Sequence, residues 1–236
     1  MASRREQKDK LRQERERREA VAKTGERRRQ LIGYGVGGAV VLLVAIVGVV
    51  LLTGGGGSAS ESDDVFPGGG GVPAMQEYGT VAEAAEAAGC ELESFKAKSR
   101  QHVASLDARV KYDSDPPTSG NHYQVPADEG AYEDPPDDKE LVHTLEHGRV
   151  IFWIDPDLPG QQRANLRAYY DSDTYQTVLV PSERMDAVVA ATAWNRDPAP
   201  NGTGRLLTCP RYNEDVFAAL ETFKDEHRGR GPEPVP

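Results

Sequence analysis

Apolar positions fall into three regimes along the chain. They are continuous from residue 31 to residue 52, recur in short periodic runs from about 74 to 227, and are sparse elsewhere. The periodic region predicts regular elements. Thr80-Val81-Ala82-Glu83 has the form of a capping box, and Ala84 to Ala88 continue a helix that Gly89 ends. Cys90 to Phe95 reads as a short strand. After a long stretch rich in Pro, Gly and Asp (Asp113 to Asp138), Leu141 to His147 reads as the last turns of a helix closed by Gly148, and Val150 to Ile154 as an apolar strand. Gln161 to Tyr170 predicts a helix. Thr177 to Val180, Ala187 to Trp194 and Arg205 to Cys209 predict strands, the last entered through the turn signal Asn201-Gly202. Val216, Phe217, Leu220 and Phe223 share one face of a closing helix over Asn213 to His227. This order predicts an α+β fold: one domain over 74–227, with a sheet of three or four strands backed by helices.

The other two regimes set the surroundings of that domain. Leu31 to Leu52 carries no charge and is long enough for a transmembrane helix, which needs about 20 residues. Twelve Lys/Arg and six Asp/Glu precede it within residues 1–30, and Arg27, Arg28 and Arg29 stand directly before it. No Lys or Arg follows until Lys96. That bias predicts a single-pass cell-membrane protein with its N-terminus in the cytoplasm and its C-terminal domain extracytoplasmic. The lipid bilayer is then the partner of residues 31–52, and the sequence does not identify a protein partner. Residues 53–73, with glycine runs on either side of Glu61-Ser62-Asp63-Asp64, read as a flexible linker. Residues 228–236 read as a disordered tail.

Charge and cysteine content narrow the function. The formal net charge is −10 although the first thirty residues are basic, so the outer part is strongly acidic. Phosphate recognition needs a basic surface, so no nucleic acid is expected as a partner. The chain has two cysteines, Cys90 and Cys209, with no Cys-x-x-Cys spacing. Outside the membrane they are expected to form a structural disulfide rather than a redox site.

The candidate chemistry lies in the five histidines. His143, Glu146 and His147 fall within an arc of about 100° on one helix, so two imidazoles at i and i+4 can reach one metal ion. Glu146 would then serve as a base or as a partner that orients a ligand. Thr118-Ser119-Gly120-Asn121-His122 sits in the long loop that runs into this helix, and Gly120 permits a tight turn before His122. The expected metal ligands are therefore His122, His143 and His147, with Glu146, His102, Tyr123 or water at a fourth position. Such a set suits zinc or copper. The run His143 to His147 also spells the His-x-x-Glu-His of inverted zinc proteases. Nothing in the sequence selects the distant glutamate those enzymes need, and Gly148 ends the helix early, so whether this is an enzyme stays open.

With these motifs in view, the chain resembles the membrane-anchored domain-of-unknown-function family numbered 3105, common in high-GC Gram-positive bacteria. The resemblance rests on Thr118 to His122, on His143 to Gly148 and on Phe152-Trp153-Ile154-Asp155-Pro156, and spans about residues 75–225. It implies a shared extracytoplasmic domain and groups His122, His143 and His147, but brings no established activity. Two readings follow. One is a histidine-lined site that holds a transition metal. The other is a non-enzymatic binding module of the cell envelope, with structural histidines and the acidic loop around Asp128, Glu129, Asp137 and Asp138 as its recognition face.

Overall fold

The alternation of apolar residues in the middle strands produces a sheet with two buried faces. In β5 (Val150–Ile154), Val150, Phe152 and Ile154 enter one core while Ile151 and Trp153 enter another. In β7 (Val189–Asn195), Val189, Ala191 and Ala193 take the first side, and Ala190 and Trp194 the second. The computed structural model describes residues 64–233. Ahead of these strands lie α1 (Val81–Ala88), β1 (Glu91–Lys96), three two-residue strands, β2 (His102–Val103), β3 (His122–Tyr123) and β4 (Gly130–Ala131), and α2 (Asp138–Glu146). After β5 come α3 (Gly160–Ser172), β6 (Thr177–Pro181), β7, β8 (Thr203–Cys209) and α4 (Asp215–His227).

The fold is α+β, with a mixed six-stranded sheet in the order β1-β8-β7-β5-β6-β4 and a separate β2-β3 pair. β4, β6 and β5 run parallel, and β7, β8 and β1 follow as antiparallel neighbours. The sheet thus has six strands where three or four were expected, and the described residues hold eight strands in all. Three of the eight, β2, β3 and β4, are two residues long, too short to leave a hydrophobic period. Helices α1, α3 and α4 cover one face through Ala84, Leu166, Tyr169, Phe217 and Phe223. Helix α2 covers the other through Leu141, Val142 and Leu145.

Several boundaries follow from local chemistry. The Thr80–Glu83 capping box opens α1, and Gly89 closes it at φ +68°. An unforeseen second box, Asp137 with Glu140, opens α2. Cys90 and Cys209 form the disulfide, because β1 and β8 pair antiparallel with Glu91 opposite Thr208.

Both ends of the expected domain extend further than the sequence reading. Phe66 is buried, and Arg163 donates to the carbonyls of Asp64 and Val65, so residues from 64 onward pack against α3. At the other end, Gly229 N–H donates to Gly148 O at 2.7 Å and Glu233 N–H to Glu146 O at 3.0 Å. Residues 228–233, read as part of a disordered tail, therefore strap the end of α2. A Cβ on Gly231 would collide with the backbone of Glu146 and Gly148, so this backbone-on-backbone approach admits only glycine. Among the described residues, no helix is long and apolar enough to cross a membrane. The expected span over 31–52, and the charged segment before it, lie outside the described residues.

Candidate metal centre

Helix α2 and the loop before it assemble the site on the second face of the sheet. The loop is anchored at both ends. His122 N–H donates to Gln101 O, and β2 and β3 pair in parallel with His102 opposite His122. Gly120 sits at φ +131°, a conformation that suits glycine, and its carbonyl lies 2.8 Å from His122 Nδ1. Farther along, Thr144 Oγ1 donates to Ala127 O at 2.8 Å, and Tyr123 O lies 2.7 Å from His143 Nδ1.

Those two carbonyls fix the histidine tautomers. A carbonyl only accepts, so Nδ1 of His122 and of His143 carries the proton and Nε2 is left to face the site. The rings of His102, His122 and His143 stand 4.8–4.9 Å apart, centroid to centroid. One ligand atom from each of His102, His122, His143 and Glu146 lies within 4.8 Å of every other. His102 is exposed and the remaining three are buried, so the group opens to solvent on the His102 side.

Glu146 is the charged centre of this group. Its side chain is 1% exposed. Oε1 accepts from Arg100 Nε at 2.7 Å, and Arg100 Nη2 lies 3.7 Å from Glu233 in the C-terminal strap. Oε2 lies 2.9 Å from His122 Nε2, yet the two atoms are poorly aligned and neither makes a hydrogen bond. Burial alone would push the Glu146 carboxyl up. His122 and the Arg100 guanidinium outweigh it and hold the group at about 2. Burial lowers His143 to about 4, helped by its neighbours His122 and His147. Near neutral pH, Glu146 is therefore ionised and His143 neutral, the protonation states a metal requires.

The structure brings together most of the residues expected from the sequence. His122, His143 and Glu146 converge. His147 packs its ring 4.5 Å from that of His143 but stands outside the group of four, as the C-cap residue of α2. Burial and Arg149 lower its pKa. His102, foreseen only as one of several fourth positions, joins because of a strand register that two residues cannot advertise. Arg100 and Glu233 had no signal at all.

A family model described as "Protein of unknown function (DUF3105)" matches residues 102–235, and the chain belongs to that family. The match contains every member of the four-residue group. No curated protein and no solved structure matches the chain.

Proposed function

We propose that this member of a family without an assigned activity binds a transition-metal ion, zinc or copper, through His102, His122, His143 and Glu146. One observation carries the reading. Two fully buried polar atoms, His122 Nε2 and Glu146 Oε2, face the same small volume with no hydrogen-bond partner. A ring nitrogen and a carboxylate oxygen buried 2.9 Å apart require a positive charge between them, a proton or a bound cation. Three imidazoles and a carboxylate, two of the imidazoles oriented by carbonyls on Nδ1, fit a zinc or copper ion. Glu146 serves as a ligand through Oε2 rather than as a free base, because Arg100 occupies Oε1. His147 flanks His143. The ion would supply Lewis acidity at its exposed His102 side.

The test is titration of the metal-free full chain with zinc and copper, alongside His122→Ala and His143→Ala, with folding checked by circular dichroism. Micromolar or tighter binding by the parent, lost in both folded variants and weakened below pH ~6.5, is expected. No binding by the parent, or equal binding in all three, sinks the reading. The Tyr123 carbonyl contact supports the second reading, in which His143 staples the acidic loop of an envelope binding module to α2 while His122 braces the loop's own turn at Gly120. A metal-free domain whose stability zinc leaves unchanged would favour it.

The setting belongs to the same proposal. The uncharged run 31–52 and Arg27 to Arg29 support a membrane-anchored protein with this domain outside the cell. The outer part's acidic character supports partners other than nucleic acid. Protease added to intact spheroplasts should digest the domain, whereas protection until the membrane is broken would reverse the orientation.

A further inference from the structure

A second site lies at the opposite end of α2. The parallel strands β4, β5 and β6 all end on one edge of the sheet. The chain leaves β4 for α2 on one face and leaves β5 for α3 on the other. Connections that depart to opposite faces open a crevice at the carboxyl ends of the strands, where sheets of this kind take ligands. A cavity of about 540 Å³ occupies that place. Its walls are Pro135 and Pro136 after β4, Pro156 after β5 and Pro181 at the end of β6, with Tyr112 beside them. The volume suits a small organic molecule, and proline walls are rigid before anything binds. Asp137 and Asp138 line it at the start of α2, about 12 Å along the helix from Glu146.

The charges on the walls select the ligand. A helix N-terminus at such a crevice ordinarily takes an anion. Here the chain's own carboxylates fill it: Asp137 accepts from Lys139 N–H at 2.9 Å, and Glu140 accepts from Asp137 N–H at 3.2 Å. Both cations on the walls are also engaged. Arg184 makes two 2.8 Å bonds to Asp138, and Lys139 Nζ lies 2.8 Å from Asp137. Glu133 and Glu183 remain, exposed on the rim with no hydrogen bond or ion pair among the described residues. Two uncompensated carboxylates above a floor of proline and aromatic carbon favour a positive head on an apolar body, and repel an anion of the same shape.

We propose that this cavity binds a small organic cation, an amine carrying an apolar body. Calorimetric titration of the full chain with phenethylamine, and with 3-phenylpropionate as its anionic counterpart, tests it. Phenethylamine saturates the parent. It binds at least tenfold more weakly to the double variant Glu133→Gln, Glu183→Gln, whose exposed side chains leave folding intact. The anion binds the parent at least tenfold more weakly than the amine. If phenethylamine does not saturate, binds both proteins alike, or binds no better than the anion, the proposal is overturned. Zinc affinity is the same in parent and variant, because the two sites share no residue.

Discussion

The face covered by α1, α3 and α4 and the face covered by α2 bury polar groups differently. On the first, Lys224 is 2% exposed, and its ammonium is met by Glu221 at 2.8 Å and Asp173 at 3.1 Å, while Tyr169 donates to the same Glu221. Around it stand Phe217, Leu220 and Phe223, and Cys90–Cys209 ties the strands at that side's edge. On the second, His122 and Glu146 are buried just as deeply, yet each keeps an atom with no hydrogen-bond partner. A satisfied polar network rigidifies a core, whereas an unsatisfied one costs stability and calls for an explanation. The first face also leaves Asn195 Oδ1 and Arg205 Nε without a hydrogen bond, but the second sets a ring nitrogen and a carboxylate oxygen 2.9 Å apart, where polar capacity is left for a ligand.

The comparison can be broken first at the disulfide. Replacing both cysteines by alanine releases a loop closed across 119 positions, and stability should fall by up to ~4–5 kcal/mol in denaturant unfolding. Zinc affinity of the folded variant should stay within a factor of about three of the parent, a shift of ~0.6 kcal/mol. A large loss of zinc affinity would show that the two faces are coupled rather than separate.

A smaller effect sharpens it. Burial first, then the charges of Arg205 and Arg230, lower His227 to about 4 from its ordinary 6.5. As pH falls, the unfolded chain takes this proton before the folded one. The stability is therefore complete above pH 6.5 and is lost progressively down to about 4, on the order of 3 kcal/mol. His227→Gln should flatten that decline in chelator without changing zinc affinity, and His143, His147 and Glu146 keep the rest of the slope. An unchanged decline in the variant would refute the assignment.

What the sequence disclosed followed from local rules. The capping box at Thr80, the stop at Gly89 and the alternation in Val150 to Ile154 are short-range signals, and each appears in the structure near its expected place. Helical spacing likewise put His143 and Glu146 on one face. The facts that were hidden depend on register and on distant backbone. Neither His102 nor His122 has a pattern around it that names the other as a partner. Residues 228–233 lack apolar side chains and so read as a tail, but they are held by the carbonyls of Glu146 and Gly148 at the end of α2 and by glycines that let two backbones touch. Arg100 illustrates the same limit, since a single guanidinium in a loop has no period to betray the carboxylate it grips.

The position of β1 bears on the order in which the protein is made. Its one neighbour in the sheet is β8, so Glu91 must wait for Thr208, more than a hundred residues later in synthesis. At ribosomal rates of about 5–20 residues per second, the segment spends some seconds without its hydrogen-bonding partner. Its composition suits that interval: Glu91, Glu93 and Lys96 are charged, and all but one of its residues stay exposed even when paired. A growing chain with such an edge resists pairing with other copies of itself, because charged side chains keep a bare strand from templating association. β1 is thereby kept soluble until β8 arrives to receive it and Cys209 to lock it.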